Sequence, residues 1–298
     1  KVELLKTLSG HKDCIYSLSK DNDSSFLTAG GDGYVVEWNL DDMDKGKLLC
    51  TFPNAIYSCI SINDDLFEVG LSNGGFFILS RKARKPLHSY PKNYGIFCFY
   101  KECSLLFVVG ESGNLFKIDL STFKEIAHQK VGLKNLRQVK AFSEDSLVLA
   151  SSEGITYIVD KDSLEIKSSY KSNEIATFCI EKNLKSNHLI SGGRDAQIYV
   201  HQLTTPNELF LKIPAHMFTV NDLKLHPKLP ILVTASRDNN IKLWNSESYE
   251  LLKVLDSEKL DGHKHSVNSI EWIDDQRLIS ASDDKKIKIW SITYTSKN

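Results

Sequence analysis

One pattern recurs seven times along this chain, and it restricts the fold more than any other feature of the sequence. Each copy is an alternating apolar run that ends in a small residue, followed by a turn and a second alternating run. The copies span Phe26–Trp38, Leu66–Leu79, Leu105–Ile118, Ser146–Val159, His188–His201, Ile231–Trp244 and Arg277–Trp290. Their turn residues are Asp32, Asn73, Ser112, Glu153, Asp195, Asp238 and Asp284, separated by 41, 39, 41, 42, 43 and 46 residues.

The alternation within each copy has the two-residue period of a β-strand, and no segment shows a sustained helical period. About four short antiparallel strands fit into each unit. A unit of this size cannot bury both faces of its own sheet, so neighbouring units must stack on one another. Radial stacking predicts an all-β fold, a seven-bladed β-propeller of four-stranded antiparallel blades.

The two ends of the chain predict how the ring closes. Residues 3–8, followed by Gly10-His11, match Glu250–Leu255, which precede Gly262-His263 after a short insertion. The chain therefore begins on an outer strand and ends on a third strand, Lys286 to Ile292. We expect residues 3–8 to complete blade 7 and to leave no long free edge. Residues 1–298 then form one domain, with the remaining strands in 11–292 and a tail at 293–298.

Charge and composition limit the classes of partner and compartment. The chain of 298 residues has 37 Lys and Arg against 38 Asp and Glu, a net charge of −1, which argues against a nucleic-acid partner. No run approaches the 18 or so apolar residues of a membrane span, so we expect no membrane insertion. The six cysteines include no C-x-x-C pair. These features predict a reducing, intracellular and cytoplasmic location without disulfides.

Three blades carry dipeptides that resemble those of the WD-repeat family. Gly10-His11, Ala215-His216 and Gly262-His263 look like its Gly-His, and Trp38-Asn39, Trp244-Asn245 and Trp290-Ser291 stand where the family has Trp-Asp. The resemblance covers essentially the whole chain and is specific in blades 1, 6 and 7. Blade 5 has His201 at the Trp position, and blades 2 to 4 have no Gly-His. The resemblance implies the seven-bladed propeller that the repeat also predicts.

The resemblance also implies a structural hydrogen-bond network inside each well-matched blade, in which a loop His, a second-strand hydroxyl, a turn Asp and a third-strand Trp are linked. The implied sets are His11-Thr28-Asp32-Trp38, His216-Thr234-Asp238-Trp244 and His263-Ser280-Asp284-Trp290. A hydrolase triad is the alternative interpretation, but a triad occurs once and these sets recur at the repeat period. His263 and His265 could form a metal pair, yet no third ligand is apparent. We expect no catalytic residues, no metal and no cofactor.

In WD-repeat proteins the commonly used binding surface is the narrow face, which carries the loops between blades and the turns between second and third strands. Two positions per blade usually point there, one early in the inner strand and one before the turn acid. They predict binding by Tyr16, Tyr57, Phe97, Arg137, Arg194 and Arg237, with Ala176 at the inner position of blade 5. Aromatic residues and Arg are enriched at binding hot spots. Alternatively, the aromatics plug the channel and the arginines pair with Glu111, Asp283 or the turn acids.

These observations favour a non-catalytic protein-interaction scaffold that binds a partner peptide, acidic or phosphorylated, on the narrow face. One alternative is an architectural subunit that uses blade sides or bottom loops within a larger complex. Another is a small-molecule binder or enzyme with its pocket at the channel mouth, which would need convergent polar groups in a deep cavity. We expect the chain to be monomeric alone or part of a hetero-complex with a protein or peptide partner.

Overall fold

The computed structural model describes residues 1–43, 45–83 and 85–293, which form seven four-stranded antiparallel sheets. Strand β1 is Val2–Ser9. Blade 1 contains β2 (Ile15–Lys20), β3 (Ser25–Gly30), β4 (Tyr34–Asn39) and β5 (Lys47–Thr51). Blade 2 contains β6 (Ile56–Ser61), β7 (Leu66–Leu71), β8 (Phe76–Ser80) and β9 (Lys85–Tyr90). Blade 3 contains β10 (Ile96–Glu102), β11 (Leu105–Gly110), the 3₁₀ turn Glu111–Gly113, β12 (Asn114–Asp119) and β13 (Lys124–Lys130).

The remaining strands follow the same order. Blade 4 contains β14 (Leu136–Ala141), β15 (Ser146–Ser151), β16 (Ile155–Asp160) and β17 (Ile166–Lys171). Blade 5 contains β18 (Thr177–Asn183), β19 (His188–Gly193), β20 (Gln197–Gln202) and β21 (Leu209–Pro214). Blade 6 contains β22 (Val220–Leu225), β23 (Ile231–Ser236), β24 (Ile241–Asn245) and β25 (Leu251–Leu255). Blade 7 contains β26 (Val267–Trp272), β27 (Arg277–Ser282) and β28 (Lys286–Ile292).

The N-terminal strand closes the ring. Strand β1 pairs antiparallel with β28, so that the sheet of blade 7 has the order β1-β28-β27-β26. Thr7 lies opposite Lys288, and Leu8 lies opposite Ile287. The structure confirms the predicted all-β propeller and its mode of closure. The closing strand is one residue longer at each end than the predicted 3–8.

The apolar core lies between the blades. Seven clusters of buried residues are distributed over the seven interfaces between adjacent sheets. Leu27 of blade 1, for example, packs in one cluster with Phe67 and Val69 of blade 2. Each sheet is apolar on both faces, which explains why the second strands read as nearly continuous apolar runs. No blade could bury these faces alone.

The innermost strands line a central channel, and each carries a β-bulge at its second residue. The bulged residues are Tyr16, Tyr57, Phe97, Arg137, Phe178, Asn221 and Asn268. A bulge leaves its extra residue outside the ladder and redirects its side chain. The fold therefore presents one irregular position per blade toward the channel, at the end near the narrow face.

Side chains one residue further along join neighbouring inner strands, which do not pair through their backbones. The Ser58 hydroxyl donates to the carbonyl of Ile96 at 3.1 Å. The Gln138 carbonyl oxygen accepts from Ile180 N at 2.7 Å, and the Asp222 carboxylate accepts from Ile270 N at 3.0 Å. These contacts satisfy backbone groups that would otherwise be unpaired beside the channel. They fix the spacing of the residues at its mouth.

Candidate functional site

Blade 1 contains the complete hydrogen-bond network that the family resemblance implies. His11 Nδ1 lies 2.9 Å from Asp32 Oδ2, and His11 Nε2 lies 2.8 Å from Thr28 Oγ1. Trp38 Nε1 donates to the same hydroxyl oxygen at 2.8 Å. The loop, the second strand, the turn and the third strand are therefore linked in the interior of one blade.

Blades 6 and 7 repeat this geometry. In blade 6, His216 lies 2.9 Å from the Asp238 carboxylate and 2.8 Å from the Thr234 hydroxyl, to which Trp244 donates at 3.0 Å. In blade 7, His263 has 2.8 Å contacts with both Asp284 and Ser280, and Trp290 donates to Ser280 at 2.9 Å. All twelve network residues named from the sequence are brought together, four in each blade.

The three sets have the atom order of a hydrolase triad but not its accessibility. The hydroxyls of Thr28, Thr234 and Ser280 belong to residues with 0% exposure. Each hydroxyl oxygen also accepts from a Trp N–H in the interior of its blade. A nucleophile must be exposed to the substrate carbonyl. The geometry therefore matches a structural role.

Burial and hydrogen bonding set the protonation of these networks. Burial alone would raise the pKa of Asp238, but the hydrogen bond and charge of His216, with the backbone N–H of Met217, lower it to about 2. Asp284 behaves in the same way beside His263, with its pKa lowered to about 2. Burial lowers the pKa of His216, so its ring is neutral at physiological pH. A carboxylate can only accept, so the Nδ1 atom of His216 carries the proton.

Blades 2 to 4 lack the hydroxyl on which the network depends, because Val69, Val108 and Leu149 stand at the register position of Thr28. Blade 5 keeps a shortened version that sequence reasoning missed. Asn173 takes the position of the loop His, and its side-chain oxygen accepts from Ser191 at 3.0 Å and from Thr177 at 2.9 Å. The signal was available in the sequence, since Asn173 precedes Thr177 by the same four residues that separate His11 from Ile15.

At the mouth of the channel, five of the seven bulged side chains form a continuous stack over blades 1 to 5. The Tyr16 and Tyr57 rings meet edge to face with centroids 5.7 Å apart, and Tyr57 stacks on Phe97 at 5.4 Å. The Arg137 guanidinium then lies 4.1 Å from the centroid of Phe97 and 4.3 Å from that of Phe178. Phe97 and Phe178 belong to the blades on either side of Arg137. The guanidinium is therefore held between two rings.

Arg137 is the electrostatic centre of this stack. Burial lowers its pKa to about 10, opposed by the charges of Tyr57 and Glu111, so the group is a cation at neutral pH. Within the described residues its guanidinium has no hydrogen bond or ion pair. Because rings cover both faces, the five N–H donors remain at its edge. This half-buried cation has N–H donors without a protein partner, and an anion at that edge would accept from them.

The last two bulged residues are engaged within the ring. Asn221 donates to Val267 O at 2.8 Å, and Asn268 donates to Ile15 O at 2.9 Å and to Asp283 Oδ1 at 2.7 Å. These bonds tie blade 6 to blade 7 and blade 7 to blade 1. The channel mouth thus has an aromatic and cationic arc over five blades and a polar, hydrogen-bonded seam over two. It opens into a cavity of about 640 Å³.

The inner-strand position predicted for blade 5, Ala176, is wrong. Thr177 pairs with Gly193 as Ile15 pairs with Gly30, so the counterpart of Tyr16 is Phe178. Ala176 is buried, and its carbonyl accepts the backbone N–H of Arg194. A displacement of two residues along a strand keeps every side chain on the same face, so the alternation could not reveal it.

The positions before the turn acids occupy one register in all seven blades. The backbone N–H of each of these residues donates, at 2.8–3.0 Å, to the carbonyl of the residue that lies two positions before the bulged residue. The seven donors are Gly31, Ser72, Glu111, Ser152, Arg194, Arg237 and Asp283. Tyr16, Tyr57, Phe97, Arg137 and Glu111 line the central cavity, whereas Arg194 and Arg237 do not. Both of these arginine side chains are exposed, and neither has an ion pair or hydrogen bond with a described residue. The alternative that they pair with Glu111 or Asp283 is not what the structure shows.

At the other end of the channel, lysine and glutamate side chains form ion pairs. Lys140 pairs with Glu181, and Lys224 pairs with Glu271 at 2.6 Å. Burial alone would lower the pKa of Lys224, but the charges of Glu271 and Asp222 raise it. These groups neutralise one another. The unpaired cation in the channel wall is therefore Arg137, among the residues that the structure describes.

Other chemistry is limited in the ranges that the structure describes. No group of three or more His, Cys, Asp or Glu side chains is arranged to hold a metal ion there. The six cysteines are free thiols. The described part of the chain also contains no helix with the length and apolarity that a bilayer crossing requires.

Comparison with known proteins identifies the repeat. The WD domain, G-beta repeat family matches residues 2–39, 207–245 and 255–291, which cover the three inner strands of blades 1, 6 and 7, and the first two matches also include the outer strand that precedes these in the chain. The CCR4-associated factor 4 homolog of Candida glabrata is 28% identical over 188 residues, which are 62% of this chain and 30% of that protein. The chain spans about a third to a half of the length of the curated relatives it matches.

Two solved structures share the whole fold. The WD40 β-propeller domain of Doa1 has a TM-score of 0.83 at 17% identity, covering 98% of this chain and 97% of that one. A chain of the Mitotic Checkpoint Complex has a TM-score of 0.84 at 19% identity, covering 98% and 92%. The family model thus identifies WD repeats where the complete networks lie, in blades 1, 6 and 7, and the structural matches show the fold of a seven-bladed β-propeller.

Proposed function

We propose that the chain is a non-catalytic protein-interaction scaffold that captures a partner peptide on its narrow face. The peptide carries an acidic or phosphorylated group, which is recognised around the channel mouth. The binding residues are those predicted from the sequence together with the aromatic residue of blade 5: Tyr16, Tyr57, Phe97, Arg137, Phe178, Arg194 and Arg237.

The observation that carries this proposal is the environment of Arg137. Its guanidinium is stacked between Phe97 and Phe178, and its N–H donors have no partner among the described residues. Carboxylate and phosphate oxygens match a guanidinium edge in a bidentate arrangement. An anionic side chain entering the channel mouth would find this donor already oriented.

The site is also rigid, which favours binding. Arg137 and the aromatic residues project from bulges in paired strands, and bonds such as Asn268 to Ile15 fix the neighbouring blades. Side chains that are already ordered lose little conformational entropy when a partner binds. The network hydroxyls are buried, which supports a binding role and not catalysis.

The names of similar proteins support the same class of function. One is described as a homolog of a CCR4-associated factor, and a structural neighbour belongs to the Mitotic Checkpoint Complex. Both descriptions concern proteins that assemble with others. For this chain, the identity of the partner is part of the proposal to be tested.

A second candidate is an architectural subunit that binds through the sides of its blades. Apolar side chains on the outer strands favour it, since they are 42–53% exposed: Leu5, Leu48, Leu87, Ile126, Ile166, Leu209, Phe210, Leu251 and Leu252. They are spread over all seven blades. Scattered exposed apolar residues are common on protein surfaces, so this observation is weaker than the environment of Arg137.

The test is a pull-down from native extract with four baits. One is the wild type, and one carries Arg137→Glu, Arg194→Glu and Arg237→Glu. The matched control carries Lys82→Glu, Lys124→Glu and Lys253→Glu, which make the same change in net charge at exposed sites. The fourth bait carries only Arg194→Glu and Arg237→Glu, because substitution of the half-buried Arg137 can disturb folding. Circular dichroism measures whether each variant is folded.

We expect mass spectrometry to find a partner on the wild-type and control baits that is lost from both arginine variants. A partner held equally by all baits would contradict the narrow-face site and favour the blade sides. The triple arginine variant must show the wild-type circular dichroism spectrum for its result to count, and otherwise the double variant decides.

A further inference from the structure

We infer that the loops before blades 4, 5 and 6 form a docking surface for an acidic segment of a partner protein that also carries bulky apolar side chains. This inference rests on the proposed function and specifies the chemistry of the partner. The surface consists of four apolar residues, Leu133, Ile175, Met217 and Phe218, which we call the apolar rim, together with Arg194 and Arg237.

The apolar rim is unusually exposed. Leu133 is 85% exposed, Met217 83%, Phe218 57% and Ile175 54%. On the narrow face, the backbone N–H groups of the residues before the turn acids donate to carbonyls of these loops. The rim side chains lie one or two residues before those carbonyls, so they also occupy the narrow face. Contiguous exposed apolar surface in a protein commonly marks an interaction site.

The rim is confined to one side of the ring. The loops of the other four blades hold mostly polar or charged residues at the two corresponding positions: Lys12, Asp13, Pro53, Asn54, Asn93, Tyr94, Lys264 and His265. In blades 4 to 6, four of the six positions are apolar. Strands β14, β18 and β22, which follow these loops, are neighbours around the channel. The four side chains therefore lie along one arc.

The loop backbones hold these side chains outward. Leu133 N donates to Glu153 Oε1 at 2.8 Å, and Met217 N donates to Asp238 Oδ2 at 3.0 Å. In blade 5, Glu174 N donates to Asp195 Oδ2 at 2.9 Å. Each turn acid thus fixes the backbone of its loop on the narrow face.

The unpaired charge beside the rim is positive. Arg194 N donates to the carbonyl of Ala176, which follows Ile175, and Arg237 N donates to that of Thr219, which follows Phe218. Each arginine is therefore next to a rim residue, and its guanidinium has no partner among the described residues. The nearby carboxylates are engaged, since Asp238 binds His216 and Glu174 pairs with Lys212 at 3.1 Å. Charge complementarity selects carboxylates in the partner.

The geometry also gives a rough length. Packed sheets lie about 10 Å apart, so three adjacent blades span about 20 Å. An extended segment rises about 3.3 Å per residue and would need about six residues to cover that distance. The occupant is a short segment in which bulky apolar side chains alternate with Asp or Glu.

The test uses a phage library of random 12-residue peptides selected on the wild-type protein. Synthetic peptides from the selected clones are then titrated against four variants by fluorescence anisotropy. The variants are Met217→Ser with Phe218→Ser, Arg194→Gln with Arg237→Gln, Arg137→Gln alone, and a matched control, Leu184→Ser with Ile126→Ser. The control residues are apolar and 71% and 52% exposed, but lie outside the rim.

We expect the selected peptides to combine Asp or Glu with Leu, Ile, Phe or Met. Their Kd should rise at least tenfold on the rim variant and on the Arg194 and Arg237 variant, and stay within twofold on the control. Peptides without this composition, peptides that bind the rim variant unchanged, or a failure to select any peptide would overturn the inference. Weaker peptide binding to the Arg137→Gln variant with unchanged binding to the rim variant would overturn the inference while supporting the proposed function.

A second copy of the chain is the other possible occupant. Sedimentation velocity over a range of protein concentrations distinguishes it. A dimer that dissociates in the Met217 and Phe218 variant would overturn the inference, because the rim would then be a self-association surface. We expect a monomer at all concentrations.

Discussion

At the scale of single residues, one hydroxyl group links the His and Trp side chains of the hydrogen-bond network in each of blades 1, 6 and 7. In blade 6 the Thr234 oxygen contacts both His216 Nε2 and Trp244 Nε1, at 2.8 and 3.0 Å. All three groups are buried, so water cannot replace a lost contact. The same position holds Val69 in blade 2, where Leu79 stands in the place of the Trp and no network exists.

We expect Thr234→Val to lower the free energy of unfolding by about 2–4 kcal/mol, since it leaves two buried polar groups without partners. Equilibrium urea unfolding measures the change. Thr51→Val on the exposed face of the outer strand of blade 1 is the control and should change stability by less than about 0.5 kcal/mol. Equal effects of the two substitutions would contradict the role assigned to the network.

The same residues predict the response to acid. Asp238 and Asp284 have pKa values of about 2 in the folded chain, below the ordinary 3.8, so the unfolded chain binds more protons as the pH falls. Their stabilising contribution is present above the ordinary value and is lost as the pH falls through about 4 toward 2. Asp238→Asn should therefore give a shallower fall of melting temperature between pH 5 and pH 2.5. An unchanged slope would contradict the account.

At the scale of strands and blades, β7 contains one residue that conflicts with its surroundings. Glu68 is fully buried between Ile60 and Ile78 on the neighbouring strands, and both carboxylate oxygens lack a hydrogen-bond partner among the described residues. The corresponding residues of the other blades are all apolar: Leu27, Phe107, Val148, Ile190, Val233 and Ile279. Burial raises the pKa of Glu68 well above its usual range.

We expect Glu68→Leu to stabilise the protein by about 1–3 kcal/mol at pH 7, because it removes an unsatisfied polar group from the core. The folded chain retains a proton that the unfolded chain releases above pH 4.5, so wild-type stability falls as the pH rises beyond that value. The gain should therefore be smaller at pH 4.5 than at pH 7. Urea unfolding at the two pH values measures it, with exposed Glu165→Leu as control. A loss of stability at pH 7 would show that the carboxylate has a partner.

How much of the site the sequence could predict depends on the kind of signal. Strand alternation and repeat spacing located the bulged positions correctly in every blade except blade 5, including Arg137. They failed at Phe178, because a two-residue displacement preserves the alternation and only hydrogen bonds fix the register. The apolar rim was not predicted either. A single apolar residue in a loop is not part of a periodic sequence pattern. Its role as part of a surface becomes visible only when the structure shows the loops of several blades side by side.

At the scale of the whole molecule, the ring is closed by pairing between residues far apart in sequence. The resemblance between residues 3–8 and Glu250–Leu255 predicted this pairing, and β1 lies beside β28 over its full length. Ring closure is predictable because residues 3–8 carry the pattern of an outer strand, whereas the last repeat ends on a third strand. The contacts that fix channel width, such as Ser58 with Ile96, depend on three-dimensional spacing and were not predictable.

We expect removal of residues 1–9 to lower the melting temperature by several degrees, because β28 then becomes a free edge and part of the core beside blade 7 is exposed. A synthetic peptide of residues 1–9 should restore the lost stability in a differential scanning calorimetry experiment by adding back the strand. A scrambled peptide is the control. A truncated protein with an unchanged melting temperature would contradict the importance of this closure.

We expect partners to bind the narrow face, at the channel mouth and the apolar rim. Hydroxyl-radical footprinting of the protein alone and in complex with a captured partner tests this directly, because Met and aromatic side chains on the narrow face are reactive reporters. We expect reduced labelling of Tyr16, Tyr57, Phe97, Met217 and Phe218 in the complex, with Leu48 and Leu251 on the outer strands unchanged. Protection of the outer-strand residues, with the narrow face labelled as in the free protein, would contradict it.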